Sequence, residues 1–149
     1  MDYKISNKVK YIHKILCETE KVYYSMLRRA QISDSEYVLL FSVLQMGEGC
    51  SQKDISDNTY ISTKTLNSTV KKLKEKGLIR LQPGKYPNMY IYLTPEGRKY
   101  IKEKMLPITE AENKILENVS DEDFENFTTI VTKYLNLFSE FENIIVEDN

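Results

Sequence analysis

Apolar residues return at helical spacing along most of this chain. Ile5, Val9, Ile12, Leu16, Tyr23 and Met26 share one side of a helix, with Thr19 in the expected place between Leu16 and Tyr23, and predict a long opening helix. Tyr37, Leu40, Phe41 and Leu44 give a second helix, capped by Ser33 or Asp34 and ended by Gly47 and Gly49. Ile55 sits on a short helix behind Ser51, and Leu66, Val70 and Leu73 on another behind Ser62, closed by Gly77. The pattern then changes. Leu78 to Leu81 and Met89 to Leu93 read as strands around the Pro83-Gly84 turn, and Cys50-Ser51 offers a short third strand. Thr94 caps a helix with Pro95 at its first position, running through Tyr100, Ile101, Met105 and Ile108; Pro107, which lacks a backbone donor, predicts a kink, not a stop. Ser120, with Asp123 three residues on, opens a final helix. There Phe124, Phe127, Val131, Tyr134, Phe138, Phe141 and Ile145 alternate three and four residues over three heptads, a narrow seam that wants another helix.

The helix behind Ser62 buries little of itself. Its remaining positions are short and polar at the start and cationic later: Thr63, Lys64, Thr65, Asn67 and Ser68, then Lys71, Lys72, Lys74 and Lys76. Short hydrogen-bonding side chains in the first turns suit approach to base edges in a DNA groove, and lysines further along suit phosphates. A lysine-rich helix face is also a common solvated surface, so the order of elements matters. That order is a helix pair followed by a two-stranded wing.

Composition frames the picture without deciding it. At 149 residues, with 41% hydrophobic and 29% charged, the chain fits one soluble domain or one domain with a helical extension. No run approaches a membrane span, and the start lacks a signal-peptide apolar region, so a cytoplasmic protein with no membrane partner is expected. The net charge of −1 hides a strong division. Residues 1–50 carry 7 Lys/Arg against 6 Asp/Glu, residues 51–104 carry 12 against 5, and residues 105–149 carry 2 against 11. The segments are therefore net +1, +7 and −9. The cationic excess falls where phosphate contact needs it, and the acidic end keeps the rest of the molecule off DNA.

The run from Ser51 to Gly97 resembles the winged helix-turn-helix of the MarR (multiple antibiotic resistance regulator) family of transcription factors. The resemblance is carried by Ile61-Ser62-Thr63, by Leu73-x-x-x-Gly77-Leu78-Ile79 and by Leu93-Thr94-x-x-Gly97, with the flanking helices extending it over nearly the whole chain. Two departures stand out. Asn88 occupies the place of the family's wing arginine, which leaves Lys85 as the favoured wing contact, and Tyr60 stands where many relatives have glycine.

The expected fold is mainly α with a small β wing. Residues 1–32 form an N-terminal dimerisation helix, 33–94 a winged helix-turn-helix DNA-binding domain, and 95–149 connecting and dimerisation helices. The expected function is a sequence-specific transcriptional regulator: a ligand-responsive repressor reading a pseudo-palindromic operator as a homodimer. Thr63, Lys64, Asn67 and Ser68 are candidates for base edges, Ser62, Thr65, Lys71 and Lys72 for phosphates and positioning, and Lys85 for the wing. Ile5, Val9, Ile12, Phe127, Val131, Tyr134, Phe138, Phe141 and Ile145 are candidates for the dimer interface. Partners are double-stranded DNA, a second copy and, by the resemblance, a small-molecule effector between the helical region and the winged domain, with Tyr11, Phe41 and Tyr100 as pocket aromatics.

Other chemistry finds little support. His13 is the only histidine and lacks a nucleophile partner, two separated cysteines make no metal or disulfide framework, and no cofactor or catalytic site is expected. Cys17, in the first helix, has either an oxidant-sensing role or that of a small apolar residue near the stripe; Glu18 and Glu20 oppose a thiolate there. A winged-helix protein-interaction module is the alternative class, and the +7 segment argues against it.

Overall fold

A computed structural model describes residues 4–84 and 89–147, with side chains to residue 141. The elements run α1 (Asn7–Ala30), α2 (Asp34–Met46), β1 (Cys50–Ser51), α3 (Gln52–Asp57), α4 (Thr63–Glu75), β2 (Ile79–Pro83), β3 (Met89–Leu93), α5 (Pro95–Lys104), α6 (Leu106–Leu116) and α7 (Asp121–Glu147). The chain is mainly helical with one three-stranded antiparallel sheet of order β1-β3-β2. Cys50 pairs with Ile91, and Ile79 with Leu93, so the two-residue strand before α3 does join the wing sheet. No helix among the described residues is long and apolar enough to cross a membrane.

Two compact units divide the chain, Met1–Ile108 and Thr109–Asn149. In the first, Leu39, Leu40 and Val43 of α2, Ile55 of α3, Leu66, Val70 and Leu73 of α4, Ile91 of β3 and Met105 form a closely buried core. Each full burial of such a side chain contributes roughly 1.5–3 kcal/mol, so these contacts fix how α4 lies on α2 and α3. The face of α2 differs from the sequence expectation. Leu44 is 46% exposed, and Leu39 and Val43 take the interior with Tyr37 and Leu40. A helix apolar on most sides has no periodic signal to say which side turns inward.

Local chemistry sets the element ends. Ser33, Ser51, Ser62 and Thr94 each cap a helix through a side-chain oxygen that accepts a backbone N–H of the first turn. Gly77, at φ +70, ends α4: its N–H donates to Lys74 and that of Leu78 to Leu73, a paired closure that needs a left-handed residue. Gly97 answers a different need. A Cβ built there would lie 1.9 Å from the Leu78 carbonyl oxygen, and the Thr94 hydroxyl donates to the Gly77 carbonyl at 2.6 Å. The Leu93-Thr94-x-x-Gly97 pattern therefore seats the start of α5 directly on the exit of α4.

Pro107 does more than kink its helix. α5 ends at Lys104, Met105 is a single turn residue, and α6 restarts at Leu106 with Pro107 in its first turn, where a missing N–H costs nothing. In the second unit, α7 begins behind Ser120, whose hydroxyl donates to Asp123 at 2.8 Å while accepting the Asp123 N–H at 3.1 Å. Asp123 meets the serine hydroxyl, whereas Asp54 at the same position of α3 reaches back to the Ser51 N–H at 2.7 Å.

Candidate nucleic-acid interface

The first turn of α4 is built around Ser62. Its Oγ accepts the Thr65 N–H at 3.2 Å and lies 2.9 Å from the Thr65 hydroxyl, while Ser56 and Thr63 hydroxyls lie 3.4 Å apart across the helix pair. Leu66, Thr69, Val70 and Leu73 face inward, and Ser62, Thr63, Lys64, Thr65, Asn67, Ser68, Lys71 and Lys72 are all exposed. Eight of the nine interface candidates thus lie on one helix and its cap. The ninth, Lys85, lies outside the described residues, as do Tyr86 and Asn88.

Neighbouring elements constrain some of these side chains. Asn67 Oδ1 accepts a hydrogen bond from Gln52 Nε2 at 2.9 Å, which fixes its amide and leaves the Nδ2 donors facing away from that partner. Gln52 opens α3, and no sequence pattern marked it. Ser68 Oγ donates back to the Thr65 carbonyl at 2.8 Å. Lys71 lies 3.9 Å from Glu75 on the same helix, a loose surface pair.

Lys72 is engaged differently. Its ammonium lies 3.2 Å from Glu36, and Lys76 lies 2.6 Å from the same carboxylate oxygen, which belongs to a side chain only 2% exposed. Burial would push the Glu36 carboxyl up, but hydrogen bonds from Lys76, the Ser33 N–H and Lys72 outweigh it and hold the group at about 2. Glu36 also completes the capping box with Ser33, donating nothing and accepting the Ser33 N–H at 3.2 Å. The Ser33-x-x-Glu36 spacing signals the cap; its second role, in holding the end of α4, depends on a contact 40 residues away.

The wing sheet is tied in at its base. Glu48 accepts the Leu93 N–H at 3.2 Å and pairs with Arg98, and the Arg80 guanidinium lies 4.9 Å above the Tyr92 ring. Cys50 is buried in β1, where burial pushes its thiol up, whereas Cys17 is exposed on α1 and not packed beneath the apolar stripe.

Residues 30–85 match the model of the MarR family. The winged helix formed by this segment is of the MarR type. No curated protein sequence matches it. Among solved structures, a MarR family regulator from Neisseria meningitidis superposes with a TM-score of 0.79 at 18% identity, covering 97% of this chain and 100% of that one. A MepR–DNA complex from S. aureus gives 0.74 at 20% identity over 89% and 99%. MarR from Staphylococcus aureus in complex with salicylate and kanamycin gives 0.69 at 16% identity over 89% and 90%. These likenesses show a shared fold over most of the chain, beyond the matched segment.

The terminal helices carry much uncovered apolar surface. Ile5, placed by its spacing on the opening helix, lies ahead of α1 and its cap Ser6 and is 56% exposed; on α1 itself Val9 is 45% exposed and Ile12 half-buried. On α7, Phe127, Val131, Tyr134, Phe138 and Phe141 are all exposed, and Tyr134 and Phe138 stack with ring centres 5.8 Å apart. The Ile145 side chain lies outside those described. Of the three aromatics expected to line a pocket, Tyr11 is exposed on α1, while Phe41 and Tyr100 pack against the core of the winged helix. A different aromatic set, Tyr23, Tyr24, Tyr37 and Tyr60, surrounds an open cavity of about 390 Å³ in the first unit.

Proposed function

We propose that this protein is a cytoplasmic, ligand-responsive repressor that reads a pseudo-palindromic operator as a homodimer, acting by binding and not by catalysis. The observation that carries the reading is α4 itself. Its buried Leu66, Val70 and Leu73 hold it on the domain while Thr63, Lys64, Asn67 and Ser68 stand exposed in its first turns. An exposed N-terminal half with short polar side chains suits entry into a major groove, with base edges read there. Ser62, Thr65, Lys71 and Lys72 then serve phosphates and register, and Lys85 serves the wing. The fold it shares with the S. aureus MepR–DNA complex supports this assignment.

Dimerisation follows from surface energetics. Residues 1–32 and 95–149 are the proposed dimerisation regions, and Ile5, Val9, Ile12, Phe127, Val131, Tyr134, Phe138, Phe141 and Ile145 the proposed contacts. Aromatic rings left as exposed as Phe127 at 64% and Phe141 at 61% are a liability in a monomer and an asset in an interface. A two-fold axis would set two α4 helices roughly 34 Å apart, one turn of DNA. Salicylate bound to Staphylococcus aureus MarR supports an effector-responsive role here as well.

The test is binding of the purified protein to the DNA upstream of its own gene and to an unrelated duplex of equal length, at two salt concentrations. Preferential, salt-sensitive binding of one dimer per site is expected. Equal affinity for both duplexes would replace the operator reading with a non-specific one.

A further inference from the structure

The cavity of about 390 Å³ lies where three elements meet: Thr19, Glu20, Tyr23, Tyr24 and Leu27 on one face of α1, Asp34, Tyr37 and Val38 at the start of α2, and Tyr60 from the turn between α3 and α4. Its size is within the range of small-molecule sites, roughly 300–1,000 Å³. Its chemistry is one-sided. Four tyrosines and two carboxylates face it, and no lysine, arginine or histidine does. Among the described residues, neither Glu20 nor Asp34 takes part in an ion pair. Tyrosine faces carry negative quadrupole potential, and two carboxylates outside any ion pair add to it, Asp34 being met only by the Tyr60 hydroxyl and the N-terminal end of α2, so an anion entering here is repelled and a cation is drawn.

One lining residue links the cavity to the DNA-reading helix. The Tyr60 hydroxyl donates to both Asp34 oxygens, at 3.0 and 3.1 Å, across 26 residues of sequence. Tyr60 is followed directly by buried Ile61 and by Ser62, the cap of α4. Asp34 is thus already the acceptor for a largely exposed side chain of the turn from which α4 departs. An ammonium group is a stronger partner for that carboxylate than a phenol.

We propose that this cavity is the effector site and that its effector is an organic cation, an aromatic or alkyl ammonium, which pairs with Asp34, stacks on the tyrosines and releases Tyr60. The proposal rests on the ligand-responsive reading above and gives it a chemical class. Release of Tyr60 frees the turn ahead of Ser62, so the cation lowers the affinity of α4 for its operator.

Titration calorimetry of the full-length protein with benzylammonium, whose three N–H groups can replace the Tyr60 hydroxyl on Asp34, and separately with benzoate, tests the class. One cation per chain is expected, with a dissociation constant at or below about 1 mM and benzoate at least about tenfold weaker. Asp34→Asn, which keeps an oxygen for Tyr60 but removes the charge, is expected to weaken the cation about tenfold. Benzoate binding as tightly as the cation, no cation binding up to about 10 mM, or unchanged affinity in both Asp34→Asn and Glu20→Gln would overturn the proposal. A second arm measures operator binding with the cation present. Wild-type affinity is expected to fall and that of Tyr60→Phe, already without the Asp34 bond, to stay unchanged; an equal response in both would overturn the coupling. A protein that binds no duplex at all defeats the repressor reading alone, because calorimetry decides the cation site without DNA.

Discussion

The Glu36 carboxylate, in the first turn of α2, lies 2.6 Å from the ammonium of Lys76 at the end of α4. With Lys72 at 3.2 Å on the same oxygen, a buried acid holds the trailing end of the proposed reading helix by two cations that remain partly in solvent. Lys72 therefore has two calls on its charge, one inside the protein and one from DNA. Whatever it gives to a phosphate it must share with Glu36, while Lys76 keeps the carboxylate compensated.

This arrangement predicts an acid sensitivity. A carboxyl held at about 2 in the folded protein, below its ordinary 4.5, stabilises the fold fully above the unfolded value and less as pH falls from 4.5 towards 2. Glu36→Gln keeps an acceptor for the Ser33 cap but loses both charged bonds, at a cost of roughly 1–3 kcal/mol near neutral pH. Thermal unfolding of both proteins across pH is expected to show the gap in melting temperature closing below about pH 4.5, as protonation removes the same charge from the wild type. A gap independent of pH would mean that packing and not charge is at stake.

Gly97→Ala addresses the seat of α5. Alanine is ordinarily worth about 0.5–1 kcal/mol over glycine in a helix. Here its Cβ meets the Leu78 carbonyl oxygen at 1.9 Å, so the backbone has to move and the expected result is net destabilisation of roughly 1–3 kcal/mol. Denaturant unfolding measures it. Neutral or increased stability would show that α5 shifts freely over the exit of α4.

Asn67 and Lys71 should separate reading from holding. Asn67→Ala is expected to cost roughly 1–3 kcal/mol and to relax preference at one base pair of each half-site. Lys71→Ala is expected to weaken all sequences alike and make the salt dependence shallower by about one unit of slope. Competition binding against single-base operator variants distinguishes them. An Asn67→Ala loss spread evenly over every variant would place that residue on the backbone of the DNA.

Phe138→Glu, in the middle of the α7 seam, is expected to convert dimers into monomers at micromolar concentration, with helical content retained. A charge at a site 64% exposed costs little in an isolated chain and much in a closed apolar interface. Sedimentation velocity reads the change. An unaltered sedimentation coefficient would move the interface elsewhere.

Much of this organisation is legible from residue types because the signals are local. Ser51, Ser62, Thr94 and Gly77 mark helix ends by what a backbone needs there, and Leu66, Val70 and Leu73 mark the inner face of α4 by spacing alone. The parts that stay hidden depend on contacts between distant positions. Leu44 and Val43 exchange places because α2 is apolar on most sides. Gln52 meets Asn67, Glu36 meets Lys76, and Tyr60 meets Asp34 only once the helices are packed, and none of these pairs has a spacing rule. Tyr60, noted first as a departure from glycine, needs no left-handed backbone; among the described residues only Gln31 adopts one outside glycine.

Selection of duplexes from a random-sequence library by the purified protein shows whether α4 reads a two-fold operator. Enrichment of an inverted repeat whose half-site centres lie about 10 base pairs apart is expected, with loss of preference at one position per half-site when Asn67→Ala is used for the selection. Recovery of sequences with no shared motif, or of a motif unchanged by Asn67→Ala and by Lys64→Ala, would contradict it.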